Sequence, residues 1–315
     1  TDALDATKAF VGTFDGDGHV VYGLYTNNNE NVATALFPLI HDGMSTTIKN
    51  LGIESSYLSV AWYSAAFVGR AYGSHGGGTL TIENSYVGAD VTIKAADAAA
   101  FYSKGGSNYL IDKCYTLATI EGPEYYGMVA CGFGASKIIR NTYAVGTRVT
   151  NFGEATLENV YVTEGGGGVG YRLLTAENMQ GLDVLTNESK MANLAACDAF
   201  VATETYPILK TFASKIPPVE EEIKIWNGTE IAPSKGSGTE ADPYLIETAE
   251  ELAYIAKNGC WEKYYKLTKD IYLNDIDKVD WATGAVEEGY KVNSWYTTDA
   301  LDATKAFVGT FDGDG

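Results

Sequence analysis

The sequence predicts an all-β chain wound into a right-handed parallel β-helix, a β-solenoid, with short capping helices. Three observations lead there. Of 315 residues, 22 are Tyr and 35 Gly against 7 Pro, and 45% are hydrophobic, so the chain can bury a large core and favours strands and tight turns. Six segments, around Val20–Tyr25, Thr47–Ile53, Thr81–Val87, Leu110–Thr116, Ile138–Ala144 and Thr156–Val162, share one form: an apolar residue, a polar one, Asn or a turn-tolerant substitute, then usually Tyr. Finally, Thr1 to Gly18 recurs unchanged as Thr298 to Gly315. Such identity marks a tandem array seen through one period of about 300 residues plus a short overlap. An engineered duplication would leave the same trace.

The six segments read as rungs of a ladder whose coils vary in length. Each of the earlier coils adds a second apolar stretch, within 33–40, 64–69, 97–102 and 126–134, and two strands per turn are what a solenoid needs. Stacked at about 4.8 Å, Val21, Ile48, Ile82, Ile111, Ile139 and Leu157 are expected to form an interior aliphatic stack. Leu51, Ser85, Cys114, Thr142 and Val160 form a smaller column beside it. Asn50, Asn84, Asn141 and Asn159 fall at one turn, where amides can bond from coil to coil. Tyr86, Tyr115, Tyr143 and Tyr161 form a further column, read as structural. Lys49, Glu83, Asp112, Arg140 and Glu158 read as a mixed-charge stripe on an exposed strand face.

After Val162 the pattern changes. The glycine run Gly165–Gly168 leads to a segment with Thr175 as N-cap and helical spacing at Met179, Leu182, Leu185, Met191 and Leu194, expected to cap the far end of the solenoid. Residues 206–209 add a last strand. Residues 1–212 therefore form the body with its C-terminal cap, and 213–235, with Pro217-Pro218 and Glu220 to Glu222, form a linker. Residues 236–315 read as the cap helix and first strands of the next module. There Thr248 and Glu251 make a capping box, Leu252 and Ile255 supply the apolar stripe, and Glu250 faces water. A strand at 264–273 follows. Because each end of the chain lacks what the other supplies, copies are expected to associate end to end.

The order GSGTEADPYLIETAEELAYIAK, YYKLTKDIYLND and FVGTFDGDGHVVYGLY, followed by coils with TIxN-like segments, resembles the right-handed parallel β-helix modules of large bacterial surface and secreted proteins, including those with GLUG-type repeats. The resemblance covers nearly the whole chain in circularly shifted order. It implies an extracellular, bacterial cell-surface setting and an adhesive or scaffolding role, and it carries over no catalytic residues.

A net charge of -19 repels phosphate backbones, so nucleic acid is not an expected partner. No apolar run reaches the ~20 residues of a membrane span. Cys114, Cys131, Cys197 and Cys260 lie far apart, and with only His19, His41 and His75 available no zinc-type spacing exists, so free thiols are expected, with one disulfide as the alternative. Asp15–Gly18 and Asn274–Asp280 resemble calcium loops superficially but read as a Gly-rich turn and a solvated loop, leaving no metal or cofactor site expected. No carboxylate group suited to glycan cleavage assembles from adjacent coils, and the chain is not read as an enzyme. The expected function is a structural, adhesive tandem module stacking on identical neighbours into a stalk or fibre. A carbohydrate-binding module is the alternative, with Trp62, Tyr63, Tyr72, Tyr125 and Tyr126 as sugar-stacking platforms and surface glycans as partners. A polysaccharide lyase or glycoside hydrolase comes third.

Overall fold

The computed structural model describes residues 9–29, 32–72, 77–123, 125–150, 154–166, 169–213, 223–258, 263–295 and 297–298. These residues form a parallel β-solenoid with few helices. Three sheets form its walls, of which only the ladder sheet continues to the last coils. The ladder sheet has 12 strands and includes Gly12–Tyr22, Thr46–Glu54, Thr79–Glu83, Asn108–Asp112, Lys137–Ala144 and Thr156–Val162. A short sheet joins Tyr25–Asn28, Ser56–Val60, Val91–Lys94 and Thr119–Glu121. The third, here called the alanine sheet, contains Phe37–His41, Tyr63–Ala65, Val68–Tyr72, Asp97–Gly105 and Tyr125–Gly132.

The interior stack forms almost as the sequence requires. Ile48, Ile82, Ile111, Ile139 and Leu157 occupy one register row. All but the half-buried Leu157 are sealed from solvent, and each buried aliphatic contributes roughly 2 kcal/mol. The first rung differs. Phe14, not Val21, is the partner of Ile48, while Val21 pairs with Ile53 one corner later. The cause is the corner itself. Other rungs turn on one residue, whereas Gly12–Tyr22 shifts register between Asp15 and His19, with Asp17 at φ 50° and Gly18 at φ 76°. Gly16, Asp17 and Gly18 thus do the work of a single Asn, and the apolar position moves upstream.

That Asn corner explains the amide column. Asn50, Asn84, Asn141 and Asn159 have φ of 54°, 48°, 48° and 52°, the left-handed region Asn tolerates better than most residues. Asn84 Nδ2 donates to Asn50 Oδ1 at 2.7 Å and Asn159 Nδ2 to Asn141 Oδ1 at 3.0 Å. Where Lys113 interrupts the column, Asn141 donates to Asp112 Oδ1 at 2.9 Å. Asp112 in the charge stripe is buried rather than exposed, and Arg140 Nη2 meets its carboxylate at 2.8 Å. Cys114 fills the interior, where burial pushes its thiol up; Cys131 and Cys197 are free, and Cys260 and His75 lie outside the described residues.

The segment after Leu173 does not cap the far end. It runs back along the outside of the ladder sheet, over the tyrosine column. Arg172 Nη1 donates to the Lys190 carbonyl at 3.0 Å near the last coil. Tyr143 Oη donates to the Pro207 carbonyl at 2.5 Å midway, and Phe212 meets Tyr86 edge-on at 4.7 Å nearer the start. Met179, Val184, Met191, Leu194, Phe200 and Leu209 bury the tyrosines. An amphipathic α-helix does not form here. Between Leu174 and Ala199 only the 3-10 turns Glu177–Met179 and Ala192–Cys197 appear, because Asp183 engages Asn187 and Lys190 and Asn187 turns on Ser189, and a single α-helical turn follows at Lys210–Ala213. The far end finishes in the short edge strand Tyr171–Leu173, a length that limits edge pairing.

The returning chain reaches the first coil, and residues 223–298 close it. Lys263–Leu267 and Ile271–Tyr272 pair in parallel with Gly12–Tyr22 of the same chain. Gly12 is required there: at φ 121° a Cβ would fall 2.2 Å from the Lys263 carbonyl oxygen. Helix Ala249–Asn258 lies over the stack with Leu252 and Ile255 buried, and its capping box is made as expected, Thr248 Oγ1 accepting from Glu251 N and Glu251 Oε2 from Thr248 N, both at 3.2 Å. Glu250, expected in water, is buried, because the Ile231 backbone crosses there and donates to the Glu250 carbonyl at 3.1 Å. Residues expected as linker are therefore partly cap: Trp226 is buried and its backbone N–H donates to the Tyr272 carbonyl at 3.0 Å. Residues 214–222 of that linker lie outside the described residues.

Candidate ligand-binding face

The alanine sheet, unlike the ladder sheet, has no chain laid over its outer side by the returning segment, and it gathers most of the expected aromatic platforms. Ala65, Ala99 and Ala130 form a small cluster apart from the interior stack, with Tyr125 packed on it. Short side chains on a strand face let long neighbours lie flat across it. Tyr63, Asp97 and Tyr125 share one register row, and Arg70, Lys104 and Cys131 another. The Arg70 guanidinium carbon sits 5.2 Å from the Tyr63 ring centre and 5.5 Å from that of Tyr72. Lys104 Nζ stands 4.8 Å from the same Tyr63 ring and 3.0 Å from Asp97 Oδ2.

Electrostatics fix this arrangement. Burial opposes the charge on Lys104, but the hydrogen bond and charge of the buried Asp97 outweigh it and hold the ammonium above its ordinary range. Burial pushes the Cys131 thiol up, against the pull of Lys104. Arg70 is different: among the described residues no carboxylate lies within ion-pair distance of it, and its contacts are the two rings. Ring contacts of this kind contribute about 0.5–1 kcal/mol at exposed sites.

Three of the five expected platforms, Tyr63, Tyr72 and Tyr125, therefore lie on one face. Trp62 precedes it and is 50% exposed. Tyr126 belongs elsewhere: it packs on the interior, its ring faces the Arg148 guanidinium at 4.1 Å, and its hydroxyl meets Arg148 and donates to Glu164 at 3.2 Å. Next to the face, at the corner between the short and alanine sheets, an open cleft of about 410 Å³ is lined by Asn29, Ser59, Lys94, Glu121 and Pro123 among others. Lys94 and Glu121 pair across it at 3.2 Å. The aromatic faces that sequence reasoning offered to sugars are thus partly taken by the chain's own cations. Arg70, Lys104 and Asp97 were not singled out from sequence, since only the register shows that positions 63, 70, 97 and 104 converge.

The acidic loops are internally satisfied. Asp15 accepts from Asn50 Nδ2 at 2.8 Å and pairs with Lys49 at 3.3 Å, and Asp17 pairs with Lys266 at 3.2 Å. Asp275 and Asp280 accept from the backbone N–H groups of Asp277 and Ala282 in their own turns. Among the described residues no group of three or more His, Cys, Asp or Glu is placed to hold a metal ion. The chain matches no family model, no curated protein and no solved structure.

Proposed function

We propose that this chain is a non-catalytic, structural and adhesive unit of a long bacterial extracellular protein, repeated in tandem and of the GLUG-type adhesin kind. The observation that carries this reading is the return of the chain to its first coil. Residue 211 reaches Asn84 on the third rung, where Thr211 Oγ1 accepts at 2.6 Å, the short helix Lys210–Ala213 lies against Gly12–Tyr22 of the first coil, and residue 225 bridges Tyr272 beside that coil. Entry to the cap and exit from the body thus lie at one end, so repeated units are joined there through 214–222 without opening a solenoid. With the near end covered, successive units hang from the linkers and present their sheet faces outward. Such a plan suits multivalent display. Electron microscopy of a chain carrying three successive copies tests it: separate bodies spaced along the chain are expected, and one continuous rod would overturn the reading in favour of coaxial stacking.

The carbohydrate-binding alternative has its own observation in the Tyr63, Arg70 and Tyr72 group. A guanidinium in contact with two rings favours a sugar bearing a carboxylate over a neutral one. Binding to a polyuronate but not to dextran, lost in Arg70→Ala, supports it; equal binding to both, or none, removes it.

A further inference from the structure

The loop leading into strand Tyr244–Ile246 concentrates hydrogen-bond donors on one atom. The carbonyl oxygen of Asp242 accepts from the backbone N–H groups of Ser237 at 3.0 Å, Gly238 at 3.0 Å and Thr239 at 3.2 Å, and from Ser237 Oγ at 3.3 Å. A carbonyl oxygen has two lone pairs, so four donors exceed what a turn requires. Successive N–H groups aimed at one point form an anion-binding concavity. Gly236 at φ 87° and Gly238 at φ 75° supply the left-handed backbone that turns them inward. The loop is held from both sides, Leu245 N donating to the Lys235 carbonyl at 3.0 Å and Tyr264 N to the Gly238 carbonyl at 3.1 Å. Beyond this oxygen lies Asp242-Pro243, the one Asp-Pro bond in the sequence. The Asp242 side chain is exposed, and among the described residues its carboxylate accepts no hydrogen bond.

We propose that the peptide bond between Asp242 and Pro243 is a self-cleavage site, with the N–H groups of Ser237, Gly238 and Thr239 as its oxyanion hole. A side-chain oxygen of Asp242 adds to the carbonyl carbon of the same residue, and the carbonyl oxygen takes up negative charge where the donors already converge. The bond to the Pro243 nitrogen then breaks, and the carboxyl proton passes to that nitrogen, which leaves as a secondary amine. Asp242 is left as a five-membered cyclic anhydride. Water opens the anhydride to two carboxyl groups, so the sum of the reaction is one peptide bond and one water converted to an acid and an amine. Each chain reacts once, which distinguishes the event from turnover of a substrate. The products stay docked, because Tyr244–Ile246 pairs with Lys263–Leu267, which pairs with Gly12–Tyr22 of the body. Within a tandem array each cut would exchange a covalent joint for one held by strand pairing.

The test follows the whole chain by mass spectrometry, at the lowest pH at which near-ultraviolet circular dichroism is still native. Acid favours the step because the carboxyl must carry the proton that the amine takes. Two fragments are expected, one ending at Asp242 and one beginning at Pro243, and they should appear at least about tenfold faster than from the chain unfolded in urea at the same pH. That comparison removes the ordinary lability of an Asp-Pro bond, which both states share. Gly236→Val keeps the bond but prevents the loop from closing, since its Cβ would fall 2.0 Å from the Pro243 carbonyl oxygen, and should bring the rate down to that in urea. Asp242→Asn should abolish the cut. A folded chain that stays whole, or is cut no faster than the unfolded one, would overturn the proposal and leave the loop a structural turn. Cutting of Gly236→Val or Asp242→Asn at the parent rate would overturn it as well, by separating the reaction from the loop or from the carboxylate.

Discussion

Two faces of this solenoid carry tyrosines in register, and they have opposite fates. On the ladder sheet Tyr86 and Tyr115 stack at 4.9 Å and Tyr115 and Tyr143 at 5.1 Å, with planes within 10° of parallel. The returning segment seals them. On the alanine sheet Tyr63 and Tyr72 meet cations and stay half exposed. Residue type and spacing are the same kind of signal in both cases. What differs is the covering: 174–213 brings apolar side chains to one face, whereas the other receives Arg70 and Lys104 from its own strands. Buried, stacked rings serve stability, whereas the half-exposed rings of the other face meet Arg70, which among the described residues has no carboxylate within ion-pair distance.

The sharpest way to break this contrast is to truncate one ring on each face. Tyr143→Ala removes a fully buried ring and the donor to Pro207, and should cost about 3–5 kcal/mol in urea unfolding. A loss under 1 kcal/mol would mean that the returning segment rests on the column without depending on it. Leu209→Ala, at the segment's buried strand Ile208–Leu209, should cost about 2–4 kcal/mol. It should also raise hydrogen exchange across 174–213 before the coils exchange. Tyr63→Ala and Arg70→Ala are expected to cost about 1 kcal/mol or less. Larger losses there would make the alanine-sheet face structural as well.

Glu54 sharpens the contrast from the ladder side. It accepts from Tyr86 Oη at 2.5 Å, and burial, assisted by Asp90 and Asp270, raises its carboxyl above the usual range despite that bond. A carboxyl raised in the folded state contributes stability that is complete below its unfolded pKa of about 4.3 and is lost as pH rises through the folded value. Glu54→Gln keeps an acceptor for Tyr86 and removes the titration. Its urea midpoint should therefore gain on the parent chain from pH 4 upward and level off once Glu54 is ionised. A constant difference across that range would place the charge in water.

The solenoid was legible because its signal is local and repeated. An Ile two residues before a left-handed Asn, with Tyr two residues after it, fixes which side chain faces in, since strand alternation leaves no choice. The first rung was misread by one corner, as Gly16, Asp17 and Gly18 replace a single residue and nothing in composition announces that. The candidate face was half legible: aromatics are visible as residues, but the cations that meet Tyr63 come from positions 70 and 104, and coils of unequal length hide that proximity.

The sequence by itself determined the repeated rung, its interior aliphatic stack, the amide corner and the capping box, because each rests on contacts between neighbouring coils or within one turn of helix. Only the tertiary structure decided where the two long segments go. Residues 174–213 and 223–298 carry apolar stripes that any exposed surface of the solenoid could have covered. Their destinations, the tyrosine column and the first coil, were selected by matching rows of side chains distant in sequence, such as Phe200 on Tyr143 at 5.9 Å and Tyr272 on Tyr22 at 4.7 Å. Burial of an apolar stripe is non-directional, so hydrophobic pattern specifies that a segment must be covered and leaves its partner to three-dimensional complementarity.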